Sequence, residues 1–208
     1  MNVTHLLVSY GYSVIFLFIA IESIGVPLPG ETILITAGIY SGSSHKLSVT
    51  VIFIVAALGA ITGDNIGFWI GDAGGYRLLR KYGHYFAIDE VKIKIGRYLF
   101  DKHGNRVVFF GRFVSILRTY AAFLAGTNKM RWKQFLFYNA AGGIIWAAFY
   151  SYSSYYVGHS IFSASNYLNL VLGIIALGIV ALSIIVARRR FAQLRDKAEE
   201  AYPGPLNG

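Results

Sequence analysis

The sequence predicts an all-α membrane protein, with three transmembrane helices, two oppositely oriented re-entrant helical hairpins and a cytoplasmic amphipathic helix. Two observations lead to this fold class. Of the 208 residues, 55% are hydrophobic and 14% are charged, whereas soluble domains contain about 25% charged residues. Proline and glycine interrupt the apolar runs, and most lysines and arginines cluster between them. The chain has no cysteine, which excludes disulfides, thiolate metal sites and cysteine nucleophiles.

The first apolar stretch, residues 14–38, predicts a re-entrant hairpin. Pro27 and Pro29, with the glycines beside them, cannot continue a helix. The stretch is also too short for two spans, which need about 40 residues. Two half-helices that meet at a broken tip therefore fit better. This hairpin places Glu22 before the break and Glu31 at the start of the second half-helix.

A spanning helix is predicted over residues 47–71, which are apolar and long enough to cross a bilayer. Glycine recurs in it at every fourth position, which forms a ridge of small residues on one face. The glycines of this ridge are Gly59, Gly63, Gly67 and Gly71. Such a ridge suits contacts within one chain and contacts in a homo-oligomer equally well. Asp64 lies beside the ridge, within the span.

Residues 77–106 are polar and basic and contain a predicted amphipathic helix. Asp89 is a candidate N-cap, and Val91, Ile95 and Leu99 follow at helical spacing. Lysines and an arginine occupy the intervening positions. We expect this helix to lie on the anionic lipid headgroups of a cytoplasmic leaflet.

Residues 107–126 predict the second re-entrant hairpin, and Arg112 and Arg118 lie in the middle of this apolar stretch. A charge at bilayer depth costs about 2.5–3.5 kcal/mol on insertion scales, so two such residues indicate a functional site. The second half-helix is expected to begin near Thr119, where backbone amides and the helix dipole favour an anion. Because an arginine fork binds two oxygens at once, we expect these residues to bind a lipid phosphate.

Two further spans are predicted over residues 132–157 and 170–187, and a charged tail, residues 188–208, follows. Asn139 and Trp146 lie in the first of these spans and are candidate lining residues of the phosphate site. An asparagine in a helix bundle is also a common hydrogen-bonding contact between helices. The tail becomes rich in proline and glycine at its end, and we expect it to fray.

The distribution of positive charge predicts the orientation. No lysine or arginine precedes Lys46, and most positive charge lies in the predicted cytoplasmic segments. The N-terminus is therefore expected outside and the C-terminus in the cytoplasm. The same distribution argues against nucleic acid as the reason for the net charge of +9.

An internal repeat relates the two hairpins, because residues 31–38 align without gaps over residues 119–126. Both segments follow a charged, broken stretch and precede a spanning helix. The two hairpins are also expected to enter the membrane from opposite sides. We therefore expect residues 1–187 to form a single membrane domain with an inverted repeat, as in secondary transporters that bind substrate at the midplane.

Three acids face the two arginines within the predicted membrane segments. These acids are Glu22, Glu31 and Asp64. If all five side chains were ionised, one carboxylate would lack a partner, and such a group in low dielectric takes up a proton. We expect Glu22 or Glu31 to couple proton movement to anion movement. The alternatives are that the acids only pair with the arginines, that Glu31 only suits the helix dipole, and that Asp64 only bonds a neighbouring helix.

Several motifs occur in a fixed order along the chain. They are Glu22, Pro27-x-Pro29-Gly30-Glu31, Gly63-Asp64, Phe110-Gly111-Arg112-Phe113, Arg118, Ala125-Gly126, Met130, Asn139, Gly142 and Trp146. Together they resemble the DedA family of bacterial membrane proteins, also called SNARE-associated or VTT-domain proteins. The chain departs from the family pattern at Ser115, where a proline is usual. The resemblance maps the family's essential acids and arginines onto Glu22, Glu31, Arg112 and Arg118.

The resemblance implies two facing re-entrant hairpins in the bacterial inner membrane and lipid movement driven by the proton-motive force. The expected function is therefore a proton-linked flippase for undecaprenyl phosphate or a related phospholipid, without a cofactor. The alternatives are a scramblase for phosphatidylethanolamine or other phospholipids, and a proton-coupled transporter of ions or small solutes. An enzyme such as a lipid phosphatase is not expected, since no apolar segment contains a histidine and no metal-ligand cluster occurs. A purely structural role would leave the buried charges unexplained.

Overall fold

The computed structural model describes residues 3–26, 28–82, 90–104, 106–112, 115–163 and 192–204. Within these ranges the regular secondary structure is helical throughout. The helices are α1 (Val3–Ile24), α2 (Gly30–Ser44), α3 (Val49–Tyr82), α4 (Glu90–His103), α5 (Arg106–Gly111), α6 (Ser115–Thr127) and α7 (Trp132–Ser163). Residues 192–201 are also helical, and residues 192–204 are called the C-terminal segment below.

The first predicted break lies where the prolines and glycines indicated, between α1 and α2. Gly25 has a φ of 122°, a backbone conformation that glycine adopts without steric cost. The helix before the break is longer than predicted, because α1 begins at Val3 and no proline interrupts residues 3–24. Its 22 residues extend over about 33 Å.

The second predicted break separates α5 from α6. The prediction that the following helix begins near Thr119 is wrong, because α6 begins at Ser115. The first position of a helix favours proline. Serine is also common at helix N-termini, because its side chain can hydrogen-bond to nearby backbone groups. The replacement of the usual proline by Ser115 is therefore compatible with a helix that starts here.

The predicted span over residues 47–71 is confirmed as part of α3. Among the described residues, Val49–Gly74 is the one helical stretch that is long and apolar enough to cross a membrane. Tyr10–Ile24 is apolar but shorter. The 32 residues of α7 cover the predicted span 132–157. The predicted span 170–187 lies outside the described residues.

The glycine ridge of α3 makes contacts within the chain. Gly63 faces Ala20 of α1, and Gly71 faces Phe123 of α6. A Cβ atom at either glycine would lie 2.1 Å from the facing carbonyl oxygen. The ridge therefore lets α1 and α6 approach α3 at backbone distance.

The two halves of the chain pack in a matching way. Helix α1 contacts α3 and helix α5 contacts α7, whereas α2 contacts α7 and α6 contacts α3. The aligned glycines of the repeat, Gly38 and Gly126, both lie against a long helix of the other half. A Cβ atom at Gly126 would meet the Phe68 carbonyl oxygen of α3 at 2.0 Å, and one at Gly38 would meet Ser154 of α7. This packing supports the internal repeat.

Gly63→Ala should lower the free energy of unfolding by about 1–3 kcal/mol, because the new methyl group overlaps the backbone of α1. Gly67→Ala is the matched control on the same ridge, since its Cβ would lie 3.4 Å from the nearest atom. It should stabilise the protein by about 0.5–1 kcal/mol through helix propensity. Unfolding in mixed micelles measures both values, and equal effects of the two variants would contradict the packing described.

The predicted amphipathic helix is present as α4, and its apolar face packs against protein. Ile95 and Leu99 are buried in a cluster with Leu124 of α6 and Ala198 of the C-terminal segment. The apolar face is therefore covered by protein, and the expected contact of this basic segment with anionic lipid headgroups stays a prediction. The predicted N-cap, Asp89, lies outside the described residues.

The expectation of a frayed tail is wrong for the C-terminal segment. Ala198 is fully buried, and the Lys94 ammonium of α4 donates a hydrogen bond of 2.7 Å to the Gly204 carbonyl oxygen. The Arg97 guanidinium lies 4.7 Å from the centre of the Tyr202 ring. The C-terminal segment packs against α4 because its apolar residues belong to the same hydrophobic cluster as Ile95 and Leu99.

Candidate functional site

The breaks between paired helices bring charged side chains from distant parts of the chain together. Glu22 lies in the last turn of α1 and Glu31 in the first turn of α2. Arg118 is the fourth residue of α6. The short connection between α1 and α2 keeps both carboxylates near one point, and α6 brings the arginine to them.

Arg118 binds two carboxylates at once. Its Nη1 donates to Glu31 Oε1 at 2.5 Å, and its Nη2 donates to Glu22 Oε1. The Arg118 side chain is 10% exposed, that of Glu22 14% and that of Glu31 34%. One guanidinium therefore faces two carboxylates, so the predicted excess of negative charge lies in this cluster.

Arg112 forms a separate and fully enclosed cluster. Its Nη2 donates to Asp64 Oδ2 of α3 and to Asn139 Oδ1 of α7. Arg112 is 5% exposed and Asp64 is 4% exposed. A Cβ atom at Gly142 or Gly143 would lie 3.1 or 3.3 Å from the arginine side chain, so these glycines make room for it. One arginine and one acid leave this cluster neutral.

Gly30 allows the Glu22 carboxylate to approach the start of α2. A Cβ atom at Gly30 would lie 2.1 Å from Glu22 Oε2. The Gly30 backbone N–H also donates a hydrogen bond to this carboxylate. The Pro-x-Pro-Gly-Glu sequence therefore breaks the helix and also provides one contact of the site.

One face of α7 runs along both clusters, because residues three or four positions apart lie above each other on a helix. Asn139 is at one end of this face. The Trp146 ring lies 5.0 Å from the Arg118 guanidinium carbon, and the Tyr150 hydroxyl hydrogen-bonds to Glu31. Sequence reasoning did not select Tyr150. Its position four residues after Trp146 was the available signal.

Six of the seven predicted site residues are brought together in the two clusters. They are Glu22, Glu31, Asp64, Arg112, Arg118 and Asn139. Thr119 does not lie at the start of its helix, because α6 begins at Ser115. The unpaired amides of a helix start are its first four, so the Thr119 amide lies inside the helix. The predicted anion site at the Thr119 amide is thus wrong in this detail.

The pairing of acids with arginines, which was one alternative, is observed. It balances charge at Arg112 and Asp64 but not at Arg118, where two acids share one guanidinium. In the ranges that the structure describes, no group of three or more acidic or histidine side chains is arranged to hold a metal ion.

Comparisons with known proteins identify relatives over most of the chain. The family model described as VTT domain matches residues 28–156. The chain is 40% identical over 152 residues to an uncharacterized membrane protein of Synechocystis sp., covering 73% of this chain and 69% of the relative. It is 36% identical over 172 residues to an uncharacterized membrane protein of Mycobacterium tuberculosis (79% and 78% covered). It is 30% identical over 207 residues to Protein DedA of Escherichia coli K12 (93% and 91% covered). No solved structure is detectably similar.

Proposed function

The chain belongs to the VTT-domain, or DedA, family of membrane proteins, and on that premise we propose that it is a proton-linked lipid flippase. Its substrate would be undecaprenyl phosphate or a related phospholipid of a bacterial cytoplasmic membrane. In this proposal the helix pairs α1/α2 and α5/α6 enter the membrane from opposite sides. The N-terminus lies outside, the C-terminus lies in the cytoplasm, and transport needs no cofactor or enzymatic step.

The arrangement around Arg118 is the observation that supports this proposal most directly. Its guanidinium fork binds two carboxylate oxygens from two different acids. A phosphate monoester presents oxygens that can replace them, because the same planar fork binds phosphate bidentately. The cluster is partly accessible through Glu31, whereas the Arg112 cluster is closed. We therefore assign substrate binding to Arg118 and a structural role to Arg112.

Replacement of the carboxylates by a phosphate also provides a coupling to protons. When Arg118 binds the phosphate, Glu22 and Glu31 lose the positive charge that stabilises their ionised forms. Carboxylates without a partner in a low-dielectric site take up protons. Phosphate binding on the outer side is then accompanied by proton uptake, and phosphate release on the cytoplasmic side by proton release. The proton-motive force would therefore drive the lipid phosphate toward the cytoplasmic leaflet.

Reconstitution in proteoliposomes tests this proposal. We expect the outward-facing fraction of undecaprenyl phosphate to fall with time, faster when the outside is acidic. Arg118→Ala should abolish the movement, whereas Arg195→Ala should not, because Arg195 forms an exposed pair with Glu199 in the C-terminal segment.

Two results would contradict parts of the proposal. If undecaprenyl phosphate stays in place, it is not the substrate; movement of a phospholipid probe without need of a gradient then favours a scramblase, and movement of an ion probe alone favours a solute transporter. If no probe moves with or without a gradient, the flippase proposal is wrong.

A further inference from the structure

Trp146 lies within the site, and its buried indole donor has no partner among the described residues. Its side chain is 2% exposed, and across the part of the chain that the structure describes its Nε1 makes no hydrogen bond. A buried indole N–H usually has an acceptor, because an unmade hydrogen bond is unfavourable. This donor therefore requires an explanation.

Packing explains the ring of Trp146 but not its N–H group. The ring lies against the Arg118 guanidinium at 5.0 Å and against the Tyr150 ring, with centroids 5.3 Å apart. Phenylalanine would provide an aromatic ring at the same place without a donor to satisfy. The N–H group points to a ligand that supplies an acceptor.

Two other buried donors lack partners among the described residues, Arg112 Nε and Asn139 Nδ2. Asn139 is seven residues from Trp146 on α7, about 10 Å along the helix axis. Both of these donors belong to the Arg112 cluster rather than to the Arg118 cluster. The Arg112 cluster is also closed, whereas the cluster beside Trp146 includes the partly exposed Glu31. An anion bound at Arg118 would therefore lie beside Trp146, whose ring is 5.0 Å from the guanidinium carbon.

We propose that Trp146 is a ligand-binding residue, and that its indole N–H donates a hydrogen bond to an oxygen of a phosphate monoester bound at Arg118. This inference rests on the proposed function and adds a contact to the same site. The aromatic face holds the guanidinium through a cation–π contact while the carboxylates release it. The N–H then binds an oxygen that the guanidinium does not reach.

Trp146→Phe tests the donor, since it keeps an aromatic ring and removes the N–H. Isothermal titration in maltoside micelles should show an affinity for dodecyl phosphate about 10-fold lower than that of the unchanged protein. Trp132→Phe is the matched control, because the Trp132 N–H already donates to Asn65 Oδ1 at 2.9 Å. Its affinity should be unchanged.

Parallel titration with inorganic phosphate identifies the source of the anion. Binding of dodecyl phosphate alone assigns the site to a lipid ester. If both compounds bind equally and Trp146→Phe lowers both affinities by the same factor, the site recognises the phosphate group itself. Both results support the contact with Trp146.

A spectroscopic measurement tests the contact without changing Trp146. The chain has three tryptophans, so the double variant Trp69→Phe/Trp132→Phe retains Trp146 alone. Dodecyl phosphate should shift its emission to longer wavelength and dodecanol should not. This arm remains valid if Trp146→Phe folds poorly.

Unchanged emission, with an affinity of Trp146→Phe within twofold of the unchanged protein, would overturn this inference and leave the proposed function in place. If the unchanged protein binds neither phosphate compound, the proposed function falls together with the inference.

Discussion

Asp64→Ala should lower the free energy of unfolding by about 3–5 kcal/mol, because it leaves the Arg112 guanidinium buried without a counter-charge. Both side chains are at most 5% exposed, so solvent cannot replace the lost carboxylate. The Asn139 oxygen remains as a partner but has no charge. Unfolding of the purified protein in mixed micelles of dodecyl maltoside and dodecyl sulfate measures the difference.

Asp72→Ala is the matched control for this prediction, because Asp72 also belongs to α3 and also pairs with a base. Its partner Lys129 is 68% exposed, and exposed pairs contribute about 0–1 kcal/mol. The double variant Asp64→Leu/Arg112→Leu should recover much of the stability, since it removes both charges. An equal effect of Asp64→Ala and Asp72→Ala would show that the Arg112 cluster does not depend on its acid.

Arg118→Lys should slow transport of the lipid phosphate by about 10- to 100-fold, although it preserves the positive charge. The guanidinium uses two separate nitrogens for Glu22 and Glu31, and a lysine ammonium does not reproduce this planar fork. A lost hydrogen bond to a charged group is worth about 1.5–3 kcal/mol, which corresponds to this change in rate. The proteoliposome assay with undecaprenyl phosphate measures the rate.

Arg195→Lys provides the comparison, because Arg195 bonds Glu199 through one nitrogen at an exposed position. Its transport rate should match that of the unchanged protein. The thermal unfolding of Arg118→Lys should be measured in the same micelles to separate transport from folding. A rate for Arg118→Lys within threefold of the unchanged protein would show that charge alone, and not the fork, is required.

Several features of the fold follow from local sequence and were predictable. Two prolines with glycines beside them within six residues do not continue a helix, so the break after Ile24 was predicted from residues 25–30 alone. The apolar run of α3 predicted Val49–Gly74 closely. The glycines at every fourth position indicated close packing, which the contacts of α3 confirm.

Other features depend on which elements meet, and local patterns do not contain that information. The amphipathic spacing of α4 predicted an apolar face, but lipid and protein bury such a face equally well. Only the fold places α6 and Ala198 against it. In the same way, no apolar period in the sequence determines that α6 begins at Ser115.

The sequence by itself determined that this is a membrane protein of the DedA family, with three acids and two arginines placed where charges are costly. It did not determine how these five side chains pair, because Arg118 is 96 positions from Glu22 and Arg112 is 48 positions from Asp64. The tertiary structure decided that one arginine has a single acid and the other has two. Ion pairs form over a few ångströms in space, and only the packing of α1, α3, α6 and α7 brings those distant positions that close.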